Sequence, residues 1–349
     1  MFKLLCLLPL LMSPISPDRE QYLLRGTFME NEPVLFIREW SQPFAEGKLL
    51  FVPTKAPTLR SPDLKTTYKE GTDYRWIEES KAIELIPGSH IPFKTHAEMV
   101  PPEGSPNTLF GVLFWEGRYF HDLQVQVSYS HSDTWPLKNA PNQKGLHRTL
   151  AALRAKKPLK LVALGDSITE GYNASGFKPS EAPPFQPAYP QLVANTLQKR
   201  FGAPVTLTNL GVAGTTADWG LSRVAKVAAE KPDLVILAFG MNHSEPDSEF
   251  GAAMRKLCDA VQTQCPTAEI ILVAPMMGNP LAFPAKRFLG YRDALKKLTS
   301  EKISLADVTT PWMELMKHKS FSDLSGNNIN HPNDFGHRLY AEVICQLLP

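Results

Sequence analysis

Leu159-Lys160-Leu161-Val162-Ala163-Leu164-Gly165-Asp166-Ser167-Ile168-Thr169-Glu170-Gly171 is the stretch on which the fold of this chain turns. Of its first six residues only Lys160 is polar, and the run stops at a glycine. So short and apolar a run, bounded by a turn signal, reads as a strand buried on both faces, as in the centre of a parallel sheet. Gly165 and Gly171 bracket the polar turn that follows, where a missing Cβ lets the backbone bend sharply and approach its neighbours closely. Downstream the pattern alternates. Residues 189–201 read as a helix with proline in its first turn, 205–210 as a strand, 218–229 as a helix, and 234–239 as a second nearly all-apolar strand. Phe250, Met254, Leu257 and Val261 form a helical stripe. A strand at 270–274, a helix at 283–298, a strand at 303–308 and a closing helix at 334–348 complete the series. Such alternation predicts a parallel sheet with helices on both faces.

Upstream the character is different. Residues 20–135 read as β: Leu123, Val125, Val127 and Tyr129 alternate with polar partners, 110–120 reads as two strands joined at Glu116-Gly117, and 48–52 and 82–86 are further short strands. A β-sandwich, jelly-roll-like, over 17–135 is the expected way to bury them. A polar linker at 136–157, ending in a short helix over 146–155, leads into the α/β domain at 158–349. A chain of 349 residues fits two such units, since single cores stop growing at roughly 250–300 residues. Residues 1–16 combine a charged start with a short apolar run, the pattern of an export signal, so a secreted or periplasmic location is expected; the alternative is an apolar N-terminal strand that stays with the fold. The formal net charge of +2 is scattered, with no basic block to track a phosphate backbone, so nucleic acid is not an expected partner. No later run is long enough to suggest stable membrane insertion. Beyond residue 16 lie Cys258, Cys265 and Cys345; a bridge between the first two depends on geometry, and without a Cys-x-x-Cys pair no structural zinc is expected.

In a parallel α/β sheet, reactive groups gather beyond the carboxyl ends of the strands. Four such places carry candidates here. The turn after the first strand presents Ser167, which is either a nucleophile or a helix cap. The turn after the second contains Gly214, and the turn after the third contains Gly240-Met241-Asn242-His243; a glycine amide and an asparagine side chain can both donate to a developing oxyanion. The last loop, Gly326 to Pro332, carries His331 ahead of the final helix.

Taken together and in this order, Gly165-Asp166-Ser167, Gly214, Gly240-x-Asn242 and His331 resemble the blocks of the SGNH, or GDSL-like, hydrolase family, over about residues 158–349. The resemblance implies a flavodoxin-like three-layer α/β/α fold without cofactor or metal. In it Ser167 attacks an ester carbonyl, His331 shuttles its proton, and the Ser167 and Gly214 amides and the Asn242 side chain hold the oxyanion. Two positions depart from the family pattern. His243 stands where an aspartate is common, and Asn328 stands three residues before His331 where the family has the triad aspartate. A serine–histidine dyad with a neutral orienter, Asn328 or a main-chain carbonyl, is therefore expected; the alternative is the carboxylate of Asp323, which lies on the same loop and could fold back. Asp166 reads as holding its turn, Asp334 as a helix-terminal anion, and His337 as packing or bonding to the loop rather than joining His331 and Asp334 in a metal site. The proline-rich loop 173–190 either lines the pocket or serves as a stiff structural segment.

The expected substrate is a small-molecule or glycan ester, most naturally an acetylated carbohydrate. That reading comes from the two-domain resemblance and from Trp40, Trp76, Trp115 and Trp135, which could stack on sugar rings. A lipid or thioester acyl hydrolase, or a glycan-binding protein with a decayed site, are the alternatives.

Overall fold

The computed structural model describes residues 23–24, 26–135 and 145–349; the expected export signal lies outside them. The α/β half is built on a five-stranded sheet in the order Val205–Asn209, Leu159–Gly165, Leu234–Ala238, Glu269–Ala274, Ile303–Asp307, every pair parallel. Numbered along the chain this is 2-1-3-4-5, the flavodoxin-like order, and it bears out the fold expected from the alternation. The order reverses between the first and third strands, and the crevice there is where such sheets bind ligands.

Successive side chains of the central strands point to opposite faces, and each face is covered. Leu161 and Ala163 pack with Val193, Leu197, Leu339 and Ile344 of helices Tyr189–Phe201 and Asp334–Cys345. Val162 and Leu164 pack with Phe250, Met254, Leu257 and Val261 of helix Asp247–Gln264. Each of these valine, leucine, isoleucine, methionine and phenylalanine side chains, fully withdrawn from water, contributes about 1.5–3 kcal/mol. The helix expected over 218–229 is two, Ala217–Leu221 and Val224–Ala229; at the break the Ser222 and Arg223 amides bond three residues back, to Trp219 O at 3.0 Å and Gly220 O at 2.9 Å, and the Ser222 hydroxyl also donates to Trp219 O at 2.6 Å. Two short helices, Thr309–Leu315 and Phe321–Leu324, fill the segment ahead of the last loop. Cys258, Cys265 and Cys345 are buried free thiols, so no bridge joins the first two.

The N-terminal half forms short, mostly antiparallel strands. One sheet runs Phe28–Val34, Val125–Ser130, Thr58–Arg60; the other runs Tyr74–Trp76, Ala82–Leu85, Glu46–Lys48, Phe36–Arg38, Phe93–Thr95. The hairpin expected to turn at Glu116-Gly117 turns instead at Phe110-Gly111, pairing Thr108–Leu109 with Val112–Leu113. Phe110 and Gly111 both have positive φ, 54° and 79°, as a two-residue mirror-image turn requires. A phenylalanine resists that conformation, which is why composition did not flag it. Its ring lies edge-on to Phe283 of the α/β half at 5.5 Å.

The two halves share one core, which runs from Val34, Leu59 and Val127 into the layer beneath the final helix. Polar groups fasten the seam. Gln124 donates to Ser322 O and Ser325 O at 2.7 and 2.8 Å, and Arg338 reaches Glu30 O and Asn31 O. Lys319, with 1 % of its side chain exposed, lies 2.8 Å from Glu32 and 3.4 Å from Asp323.

Candidate active site

Gly165 ends the first strand where a Cβ would lie 2.2 Å from Thr169 Oγ1 and 2.4 Å from Ala238 O, so no larger residue fits without a shift. The chain then turns into the single helical turn Ser167–Glu170, which Asp166 caps by accepting from the Ile168 amide at 3.1 Å. Asp166 is fully enclosed, and that burial pushes its carboxyl up to about 6. Ser167 sits at the start of the turn, 3 % exposed.

His331 comes from the loop ahead of the final helix and is 6 % exposed. Its Nε2 lies 2.9 Å from Ser167 Oγ. For Nε2 to accept the serine proton, the ring hydrogen must be on Nδ1, and the surroundings of Nδ1 suit that tautomer. Asn173 Oδ1 lies 2.9 Å away. The Asn173 amide cannot usefully flip, because its Nδ2 donates to Gly117 O at 2.9 Å and Gly326 O at 3.0 Å. Asn327 Nδ2 is also 3.0 Å from Nδ1, but it has acceptors in Asn330 Oδ1 at 3.0 Å and Glu116 Oε1 at 3.2 Å. Asn327 Oδ1 in turn accepts from the amides of Ile329, Asn330 and His331, so the loop is wrapped around one side chain.

Asn328 does not orient the histidine. It has a left-handed backbone, φ 62°, which turns its side chain away to donate to Leu113 O at 2.9 Å, while its own carbonyl accepts from Asn279. It clasps the N-terminal hairpin instead. Asp323 is likewise committed elsewhere, accepting from the Leu35 amide at 2.7 Å and pairing with Lys319. The residues missed in the sequence are Asn173 and Glu116. Asn173 lies six positions past the serine in a left-handed conformation, φ 61°, at the sheet edge where such groups collect. Glu116 lies on the other half of the molecule, its Oε2 3.8 Å from His331 Nδ1. Burial opposes its ionisation, but the imidazole of His331 and the amide of Asn327 hold its carboxyl below the usual range.

The second-strand turn is tied to the first by Val212 N to Gly165 O at 3.0 Å and by Ala213 N to the Glu170 carboxylate at 2.6 Å. Among the described residues neither the Ser167 amide nor the Gly214 amide has a hydrogen-bond partner. Gly214 has φ +75°, a backbone a larger residue would strain. Asn242 Nδ2 gives one proton to Thr215 O at 3.0 Å, which leaves the other for a ligand. His243 is a brace: its Nε2 accepts from the Ala217 amide at 3.0 Å and its Nδ1 donates to Glu245.

His337 is fully buried in the final helix, accepting from the Tyr189 amide at 3.3 Å and donating to Tyr172 O at 3.1 Å. It lies in a different polar setting from Asp334, which accepts from the Ser175 amide at 2.7 Å and anchors the proline-rich loop. Burial lowers His337 from 6.5 to about 4. The unfolded chain therefore takes up this proton first, and stability falls as pH drops from about 6.5 toward 4. The contribution is about 3 kcal/mol. Urea melts at pH 7 and pH 4.5 are expected to differ by less in His337→Gln than in the parent; equal pH slopes would rule the linkage out.

A cleft of about 350 Å³ borders His331 and Asn242. Phe110, Phe114 and Glu116 of the N-terminal half line it together with Phe283 and Arg287 of the α/β half. Loop 173–190 is not part of this lining; it folds back against Asp334 and His121 and sends Asn173 to the histidine. Trp115, 42 % exposed, stacks on Tyr119 at 5.0 Å next to Glu116, whereas Trp40 stands out against His96 far along the chain.

The chain matches the model of the GDSL-like lipase/acylhydrolase family over residues 163–339. No curated protein matches it. Similar solved structures include a two-domain esterase (CEX) active on acetylated mannans, co-crystallized with mannopentaose, at 24 % identity and TM-score 0.48, over 60 % of this chain and 55 % of that one. Another is a catalytic mutant of Axe2, an acetylxylan esterase from Geobacillus stearothermophilus, at 22 % identity and TM-score 0.44, over 54 % of this chain and 94 % of that one. A lipase from goat rumen metagenome matches at 17 % and 0.43, over 54 % and 97 %. The chain thus spans just over half the length of the mannan-active structure it matches.

Proposed function

Because the chain belongs to the GDSL-like lipase/acylhydrolase family, we propose that it is a serine ester hydrolase that removes acetyl groups from carbohydrate. The observation that carries the reading is the 2.9 Å contact between Ser167 Oγ and His331 Nε2 at the topological switch point of the sheet. In the proposed reaction Ser167 Oγ attacks the ester carbonyl while His331 Nε2 takes its proton. The Ser167 and Gly214 amides and the free proton of the Asn242 amide stabilise the negative oxygen of the tetrahedral intermediate. The intermediate collapses to the acetyl ester of Ser167 as the bond from the carbonyl carbon to the sugar oxygen breaks, and His331 gives its proton to that oxygen. Water, deprotonated by the same nitrogen, then attacks the acetyl carbon; acetate leaves as the bond to Ser167 Oγ breaks, and Oγ takes the proton back from His331. The orienter of His331 in this scheme is Asn173, a neutral acceptor that fixes the tautomer.

Support for a sugar over a long acyl chain comes from the cleft. Phe110, Phe114 and Phe283 line it together with Asn242, Arg287 and Asn330, a mixture suited to a ring with an apolar face and polar edges rather than to an uninterrupted alkyl chain. The test is a comparison of acetylated sugars and short nitrophenyl esters with long-chain nitrophenyl esters, using Ser167→Ala as blank. Preference for long chains would shift the reading to a lipid hydrolase.

Asn173→Ala is expected to lower kcat about 10- to 100-fold, since it removes the acceptor that holds the histidine tautomer. Asn328→Ala, which unfastens the hairpin, is expected to cost less in kcat. Steady-state kinetics on a small acetyl ester distinguishes them, and a larger loss in Asn328→Ala would reverse the assignment.

A further inference from the structure

We infer that Glu116, carried on the N-terminal half of the molecule, is a positioning residue that supplies the negative charge His331 lacks on its own loop. The inference rests on the serine-hydrolase reading above. Asn173 fixes the Nδ1 hydrogen, but a neutral amide does little for the positive charge that appears on the imidazole when Ser167 attacks. Glu116 Oε2 lies 3.8 Å from Nδ1, within the distance at which an opposite charge stabilises an ion. The carboxylate is held in place by Asn327, whose amide spans Glu116 Oε1 and Asn330 Oδ1. Fastening of the segment around it is extensive: Asn328 Nδ2 holds Leu113 O, and Asn173 Nδ2 holds Gly117 O. The asparagine that stands at the family's acid position, Asn328, thus serves to dock the segment that brings a carboxylate from elsewhere. No proton passes to Glu116; it remains an anion and Nδ1 keeps its hydrogen against Asn173.

Of the other ionisable groups around His331, none takes the place of Glu116 beside Nδ1. Asp166 of the nucleophile turn interacts with the imidazole charge, but burial pushes its carboxyl up to about 6 and its hydrogen bond goes to the Ile168 amide, not to the ring. His337 of the final helix is neutral between Tyr189 N and Tyr172 O. The Tyr172 ring packs against the imidazole at 5.2 Å between centroids. Arg287 lines the same cleft and carries the wrong sign.

Glu116→Gln tests the charge alone, because the amide oxygen can still accept from Asn327 and the side chain is 43 % exposed. In the full-length protein, kcat for a small acetyl ester is expected to fall about 10- to 100-fold, less than the roughly 10⁴-fold cost of neutralising a directly bonded triad aspartate. The acid limb of the kcat/KM profile is expected to move to lower pH, since an imidazole without a neighbouring anion gives up its proton more readily. Glu116→Asp is expected to recover part of kcat and of the limb position. A substrate contact or a structural prop would instead raise KM or lower the melting temperature and leave the acid limb where it was. An unmoved limb together with wild-type kcat, or a change in KM alone, would overturn the inference while the serine-hydrolase reading stood. Absence of Ser167-dependent turnover in the parent protein would overturn both.

Discussion

Ser167→Ala is expected to lower kcat for ester hydrolysis by at least about 10⁴-fold while leaving the fold intact. The removed hydroxyl is the only group within hydrogen-bond distance of His331 Nε2 among the described residues, so no neighbour can take over as nucleophile. Folding is spared because the hydroxyl contributes nothing else: the helical turn that carries it is capped by Asp166, not by Ser167 itself. A residual rate above water is expected from the oxyanion donors alone. Turnover at more than about one hundredth of the parent rate in purified Ser167→Ala would show that another residue attacks the ester.

Lys319→Met is expected to destabilise the protein by about 3–5 kcal/mol, the cost of leaving buried charge without its partner. Surface ion pairs such as Arg118–Asp122 are worth about 0–1 kcal/mol. Lys319 is different because both carboxylates it faces are buried as well, with Glu32 1 % and Asp323 4 % exposed in the side chain. Burial works against its charge, but Asp323 and Glu32 hold it above the usual lysine value. The two carboxylates have further fixed roles, Glu32 accepting from the Leu50 amide and the Tyr129 hydroxyl and Asp323 from the Leu35 amide. Neither can swing away to water when the ammonium is removed. The cluster also straddles the seam between the halves, so the loss is expected to appear in urea melts of the whole chain as one shifted transition. A loss under about 1 kcal/mol would mean that the carboxylates neutralise by taking up protons at little cost.

Much of the α/β half was legible in the sequence because its strands are apolar runs and its helices have a clear period. Leu234–Ala238 buries every side chain and Leu159–Gly165 every one but Lys160, which is possible only near the centre of a covered parallel sheet. The N-terminal half was less legible. Its strands are two to seven residues long, too short for a period to stand out, and its key turn places a phenylalanine in a conformation that favours glycine. The same contrast applies to the site. Strand ends pointed to Ser167 and to the loops of Gly214, Asn242 and His331, since topology alone brings these together. The surroundings of Nδ1 depend on docking between halves and on the twist of single residues. Asn328 sits at the spacing where an acid is usual, yet its positive φ sends the side chain to Leu113. Asn173 and Glu116 reach the histidine from segments 158 and 215 positions away, and no local pattern marks them.

The most direct test of the central claim is to treat the pure protein with a fluorophosphonate and map the adduct by peptide mass spectrometry. One adduct per chain, on Ser167 and lost in His331→Ala, is the result the account predicts. A parent protein that stays unlabelled at Ser167, or is labelled equally without the imidazole, would contradict it.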